Sequence, residues 1–551
     1  MHVDADEEYV QSVYIKPPEA HQIIMEPLPK RLLDNIKERL RVEWLMNTTI
    51  RDVIFHMFYV SVVITMVHGH RNIYSSFLCT EAVRSLFVKP SIGMKMGKVS
   101  NTDDFEKYLH STFIPAMTDI TSDHDYATRG SNHYLVGTYR LRQLRIKTDV
   151  CAPIMYGLPH DCKGPYSVTE EETRYFDQSW SKPLTGVDGT SVDDKSDHWK
   201  YRSTWDLKTL PFPGTHGTYS GGGYVLQLPA KVSSHSDILS GLFADKWIDQ
   251  YTRAIFIEFT LYNPNVDLFT VVVYLFEFTN VGRVFPINYE FTSSLYHYST
   301  DYQMVVLVCE ILFICFTCLF IYVEVKRFKQ LGKVKYFSDF WSYVEISQLS
   351  LSVSLLGLFI KRFFTINNTL AELKQAQDNG YINFHSAIFW DFVFGYVSAV
   401  LVALVTLKTL KHVRYNKRIK IVTKTLSNIR PVYIGYVFGF AVMTTSFASL
   451  GYSFFGYSMD GYKTFYDSWV SIILVLLGVG DFVGLQDMFR YAGPMFIVAI
   501  VMICQYILMV MMTTVLNFGR LEAKHELSKR KRKMALIKYM RSRVKLLLDM
   551  K

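Results

Sequence analysis

The sequence predicts an α-helical membrane protein of six spans with an α+β domain inserted between the first two. Three observations predict it. Five blocks, at about 303–323, 341–360, 386–407, 431–457 and 492–517, each hold roughly 20 residues with few or no charges, the length that crosses the hydrocarbon core of a bilayer. Lys and Arg gather on alternate connections between these blocks. A long polar, aromatic-rich and turn-rich stretch, 69–300, precedes the first of them. A mean hydropathy of +0.11 in a chain with 20% charged residues is the average of such segregation.

The sixth block comes first in the chain, at Val53–Val67 (VIFHMFYVSVVITMV). It is short and carries His56, but it extends on both sides to 50–68, and counting it as a span closes the topology. The charged segment 1–49 before it argues against a secretory signal. Basic clusters lie before this span (Lys30, Arg31, Lys37, Arg39, Arg41, Arg51), after the second (Lys326 to Lys335), after the fourth (Lys408 to Lys424) and after the sixth, at KRKRK in the tail 519–551. The positive-inside rule therefore places both termini in the cytoplasm. Lys361-Arg362 departs from the pattern, because it falls on an outward connection. KRKRK can be read as a nuclear signal or a nucleic-acid patch; after six spans, contact with anionic lipid is the better reading, and no nucleic-acid partner is expected.

The domain at 69–300 is long enough to fold around its own core. RAIFIEFTLYN (253–263) and LFTVVVYLFEF (268–278) mix β-branched and aromatic residues, and Pro264-Asn265 supplies a turn between them. YSGGGYVLQL (219–228) reads as a glycine bend entering another strand. Four of the seven cysteines fall inside spans; Cys79, Cys151 and Cys162 are predicted outside, in an oxidising compartment. Cys151 and Cys162 bracket a short loop and are the candidate disulfide, with no pairing at all as the alternative. Asn367-Asn-Thr is the candidate glycosylation site on the outer side.

Spans two to four occupy 301–424. At the inner end of the fourth, Lys408, Lys411, Arg414 and Lys417 recur every third residue, a slowly winding basic stripe of the kind that feels membrane voltage. Snorkelling of interfacial cations explains the same stripe without voltage. The segment 430–518 holds two spans around FYDSWVSIILVLLGVGDF. Residues 464–476 are apolar and too short to cross, so they dip in and return. Backbone that leaves a helix at that depth is either buried in protein or lines water. Leu477, Gly478, Val479, Gly480 and Asp481 follow, with Asp487 beyond them: glycines let carbonyls face an ion, and a carboxylate at a pore mouth attracts cations. A buried turn is the competing reading. In the uncharged last span Gln505 and Asn517 are the main polar points, and under the cation-channel hypothesis Leu516 and Asn517 would lie near an inner gate.

These residues resemble one family, the polycystins, within the transient-receptor-potential cation channels. The resemblance covers about 45–525 and rests on RLRQLRIK (140–147), the Cys151/Cys162 loop, TYSGGGYVLQL (218–228), WIDQYTRAIFIEFTLYNPNVDLF (247–269), YFSDFWSYVEISQLSLSVSLLG (336–357), LVTLKTLKHVRYNKRI (404–419) and the region Gly456 to Pro494. It implies a voltage-sensor-like bundle, then a pore module, in a tetramer, homomeric or mixed with other polycystins. It also implies passage of calcium and monovalent cations, no cofactor, and a plasma-membrane, ciliary location. Three departures stand out. Leu477-Gly478-Val479 falls where channel members carry Leu-Gly-Asp, so the aspartate is displaced to Asp481. The tail has neither a D-x-D-x-D-G calcium loop nor convincing heptads. The segment PLPKRLLDNIKERLRVEWLMNTTIRDVIF resembles receptor-type members.

The expected function is thus a cation-channel subunit, with a non-conducting receptor or assembly subunit as the alternative favoured by Val479. A potassium channel lacks support, since the threonine-rich entry and Gly-Tyr-Gly core are missing. No enzyme is expected: the stretches predicted to be cytoplasmic contain no nucleotide loop, metal-ligand spacing or paired nucleophile and base.

Overall fold

A computed structural model describes residues 30–69, 72–121, 132–147, 149–150, 161–181, 198–228, 235–295, 301–376, 380–413 and 417–529. The chain divides into two compact units, 57–409, and 410–551 with 1–56. Among the described residues, six helices are long and apolar enough to cross a membrane. Helix α1 (Lys30–Gly69) supplies the first, and α2 (Ile73–Phe87) follows after a three-residue connection. The others are α3 (Asp301–Leu331), α4 (Phe340–Ala376), α5 (His385–Val413), α6 (Lys417–Phe455) and the composite last helix.

In the unit 57–409, the outer domain is a seven-stranded antiparallel sheet. Its strands are β1 (Tyr134–Leu135), β2 (Arg140–Arg145), β3 (Tyr201–Arg202), β4 (Gly223–Gln227), β5 (Thr252–Asn263), β6 (Leu268–Phe278) and β7 (Val284–Ser293). They run in the order β7-β6-β5-β2-β4-β3, with β1 also on β5. β5 and β6 form the hairpin expected around Pro264, in register from Leu268 opposite Asn263 to Glu277 opposite Ala254. Every residue of β6 is buried, which means both faces of the sheet are covered.

Strand alternation sorts the cover. Ile255, Ile257, Phe259, Val272, Tyr274 and Phe276 point to one face, where Phe87, Phe105, Tyr108 and Phe113 from helices of the same domain pack on them. Leu144, Phe256, Phe269, Val271 and Val273 point to the other, which is closed by Ile366, Ile382, Phe384, Ala387 and Ile388. Those five belong to the outer ends of α4 and α5 and the connection between them. The second lid of the outer domain is therefore made of membrane helices. Below it, the outer half of α1 packs with α3, α4 and α5 around Tyr59, Val63, Phe313, Phe316, Leu355, Leu401 and Val405.

The α4 helix runs to Ala376, well past the predicted apolar block, so Asn367 sits exposed on a helix. Cys151 lies outside the described residues, as do the side chain of Cys162, Arg414 and KRKRK at 529–533 apart from the backbone of its first lysine.

Candidate ion path and charge clusters

In the other unit, α6 is followed by a 3-10 turn, Asp460–Tyr462, and by the short helix α7 (Phe465–Leu476). Thr464 caps α7: its hydroxyl accepts from the Asp467 amide at 3.1 Å and donates to the Asp467 carboxylate at 2.7 Å. Twelve residues rise about 18 Å, short of a roughly 30 Å hydrocarbon core. Ser468 donates to the Ala448 carbonyl at 2.7 Å and Ser471 to the Gly461 carbonyl at 2.6 Å, tying α7 to what precedes it. Its buried face, Ile472 and Val475, packs with Phe455, Tyr462, Leu485, Phe496 and Ile500.

The helix ends by turning left-handed at Gly478, where φ is +78°, a conformation that a side chain disfavours. The amide of Gly478 reaches the Val475 carbonyl at 3.0 Å, and that of Val479 reaches Leu474 at 2.9 Å. Leu477 and Val479 stand 70% and 71% exposed. The Gly480 carbonyl accepts from the Phe482 amide at 3.0 Å, opening the short helix α8 (Phe482–Met488). Asp481 is the N-cap of α8, accepting from the Gly484 amide at 2.9 Å, and it is exposed. Asp487 is exposed too. The two readings of this stretch are not exclusive. The turn is hydrogen-bonded on its inner side and bare on its outer one.

The last span is a composite of α9 (Ala492–Ile500), a π-helical stretch at Val501–Leu508, and α10 (Met509–Lys529). The π stretch was not legible in the sequence, since VMICQYIL, apolar but for Gln505, contains no glycine or proline to mark it. Pro494, Met495, Val498, Ala499, Met502 and Ile503 line an open apolar hollow of about 480 Å³ on its outer half. Farther in, Leu516 is half-buried and Asn517 exposed. Just beyond them, α10 meets the start of α6. A Cβ placed on Gly519 would lie 2.1 Å from Ile429 Cγ2, Ala523 is fully buried, and Lys424 pairs with Glu526 at 3.0 Å.

In the unit 57–409, Lys408 is buried rather than snorkelling. Its ammonium donates to Glu345 at 2.5 Å and Gln348 at 2.9 Å, both on α4, and lies 5.4 Å from the Phe320 ring. Phe320 is held edge-on against Tyr59 at 4.9 Å. A buried ammonium persists only with such partners, because desolvation otherwise outweighs its attractions. Lys411 is half-buried.

A cation that departs from the charge rule and an acid that sequence reasoning did not single out meet at the other end of α5. Arg362, the outward cation that departs from the charge rule, lies 2.8 Å from Asp391, and the two are 4% and 1% exposed. The Arg362 Nε–H does not point along the N···O line, so this pairing is Coulombic rather than a directed hydrogen bond. Ser293, the last residue of β7, donates to the other Asp391 oxygen at 2.6 Å. The available signal was that each residue violates a rule: an acid inside a span, and a cation on the wrong side.

The outer domain carries a third cluster. Register places Arg140 opposite Glu258, and Arg142 sits one face-mate along. Arg140 donates to Glu258 at 2.5 Å and Arg142 at 2.9 and 3.0 Å, all three residues at most 2% exposed. Burial pushes the Glu258 carboxyl up, but the two guanidinium groups outweigh it and hold it down to about 2. Arg140 also stacks on Tyr381, in the connection between α4 and α5, at 3.9 Å.

Comparison with known proteins agrees with this architecture. The family description "Polycystin domain" matches 95–293 and "Polycystin cation channel" matches 297–519. The chain belongs to the polycystin family. It is 25% identical over 506 residues to human polycystin-2-like protein 1, covering 90% of this chain and 60% of that protein. Against polycystin-2 of Caenorhabditis elegans it is 28% identical over 481 residues, 85% of this chain and 64% of that one. Mouse polycystin-1-like protein 3 matches at 25% over 384 residues, 70% of this chain and 17% of its own length. The chain thus spans about 60% of the length of the polycystin-2-type relatives named here. It is an integral membrane polycystin, and its family is one of ion channels rather than enzymes.

Proposed function

We propose that this polycystin is a pore-forming subunit of a tetrameric cation channel, built from four copies or mixed with other polycystins, that passes monovalent cations and calcium. The observation that carries it is the exposed turn Leu477–Asp481 at the end of a re-entrant helix held between two spans. Gly478 and Gly480 shape the path, Asp481 and Asp487 draw cations to it, and Leu516 and Asn517 lie at the inner gate. Lys408, Lys411 and Arg414 give weak voltage sensing, and the contact of Gly519 with Ile429 carries force to the gate. Basic segments on the cytoplasmic side bind anionic lipid. Cys151 with Cys162 as a disulfide, Asn367 as a glycan acceptor, and residence in the plasma membrane of the cilium complete the reading.

A second reading, a non-conducting receptor or assembly subunit, is favoured by two observations. Val479 stands exposed where the family resemblance calls for an acid, and Asp481 already spends an oxygen on capping α8. Currents recorded from the chain alone and with a channel-type polycystin separate the two. Asp481→Asn keeps the cap and removes the charge, so a loss of divalent permeation in that variant supports the channel. Unchanged currents in Asp481→Asn and Val479→Asp at normal surface abundance, or a purified protein that never forms a tetramer, would leave the receptor reading.

A further inference from the structure

Helix α5 is held at both ends by a buried charge pair, and the two ends differ in kind. Asp391 and Lys408 are 17 residues apart, about 25 Å along a helix and close to the roughly 30 Å of the hydrocarbon core. At the inner end, Lys408 reaches Glu345 and Gln348 through a long, flexible stem. At the outer end, Asp391 meets Arg362 at 2.8 Å and Ser293 at 2.6 Å through a side chain with only two rotatable bonds. Ala387 and Ile388, one turn before Asp391, are built into the core beneath Phe269 and Val271 of β6.

We infer that Ser293, Asp391 and Arg362 form a latch that fixes the outer end of α5 to the outer domain and has to open before that helix moves. The inference rests on the channel reading for its link to gating, but not for the latch itself. A slide of one turn is about 5.4 Å. A lysine stem follows such a slide; an aspartate does not. The inner pair is therefore compliant and the outer one brittle, so the outer domain, through the end of β7, sets the force at which α5 releases. A partner that pulls on β7 then acts on the same contact as membrane voltage.

The charges give a second signature. Among the described side chains of α5, Asp391 contributes −1 and Lys408 and Lys411 contribute +2, for a net of +1 with His neutral. An acid that moves with the helix cancels part of the charge that senses voltage. Neutralising it raises the sum to +2, so the response to voltage becomes steeper as well as easier to trigger, which a merely structural residue would not produce.

The test uses the full chain in lipid nanodiscs for hydrogen exchange, and co-expressed with a channel-type polycystin for currents. Asp391→Asn keeps the size and the hydrogen bond from Ser293. It is expected to exchange faster over 380–392, to activate at less depolarised voltage and to do so more steeply. Arg362→Gln shares the first two effects, and the exchange of charges, Asp391→Arg with Arg362→Asp, restores slow exchange. Ser293→Ala, a milder change, shows the same direction and serves if Asp391→Asn does not fold. Exchange unchanged in Asp391→Asn and in Ser293→Ala, or as fast in the charge-swapped protein as in the single variants, overturns the latch. A wild-type protein that carries no current with any partner overturns the channel reading, and the exchange result still decides the latch.

Discussion

The helix bundle and the pore module treat charge and exposure differently. In the bundle, charge is buried: Lys408, Arg362 and Asp391 are each at most 6% exposed, and each has a partner from another element. In the pore module, strongly exposed apolar residues lie at the turn and after it: Leu477, Val479, Val483 and Met495 each stand at least 69% exposed. The bundle pairs its buried charges within one chain, while Ile360, Phe364, Tyr396 and Leu407 on its helices are themselves exposed. The pore module finishes its inner side with Ser468, Thr464 and the cap at Asp481, and leaves the turn at Leu477 and Val479 bare.

That contrast can be broken where it is strongest. Removing one member of a buried cluster should cost the most. Glu258→Gln leaves Arg140 and Arg142 buried without a counter-ion, a loss of about 3–5 kcal/mol, to be seen as a collapse in surface abundance and in thermal stability. Next comes overpacking at Gly519, where Ala meets Ile429 and should cost about 1–3 kcal/mol and shift channel opening; coupled Ile429→Ala should relieve it. A smaller effect belongs to the cap. Asp481→Ala should destabilise α8 by about 0.5–2 kcal/mol while Asp481→Asn does not, a difference readable by hydrogen exchange at Gly484. At the exposed turn, Leu477→Ser and Val479→Asp should change the stability of the single chain by less than about 0.5 kcal/mol while changing current or assembly. A large stability loss there would mean that the turn is buried after all, and the contrast would fail.

Acid sharpens the same comparison. The Glu258 carboxyl is held to about 2 against an ordinary value of 4.5, so its contribution is present above 4.5 and is lost as pH falls from there through about 2. The protein should therefore keep the outer domain's contribution from this group unchanged between neutral pH and about 5. Melting temperature followed down in pH should begin to drop below about 4.5, and the Glu258→Gln protein should show a shallower drop.

What the sequence made legible follows from distance along the chain. Hydropathy found the six spans, and β-branched runs around Pro264 found the central hairpin, because both are local patterns. The short helix Phe465–Leu476 was legible because 464–476 is apolar and too short to cross. The π stretch at Val501–Leu508 was not, since a largely apolar run without glycine or proline looks the same in either helix. Nor was the meeting of Arg362 with Asp391, or the closure of the sheet by Phe384 and Ile388, because each joins residues whose neighbours in sequence give no hint of the other. Asp481 was read as a candidate ion ligand, and its position three residues before the Gly484 amide, the signature of an N-cap, was the part of the pattern left unused.

The closure of the sheet by α4 and α5 has a practical consequence for anyone who would study the ectodomain by itself. Excised at its two membrane junctions and secreted, the stretch 72–295 would present Phe256, Phe269, Val271 and Val273 to water, stripped of Ile366, Phe384 and Ile388. Such a fragment should clump or demand detergent, whereas grafting 362–392 back onto it as a tether should render it soluble. The sheet domain should not behave as a detachable module, and reagents raised against a severed version should see a face that Ile366, Phe384 and Ile388 cover in the intact molecule.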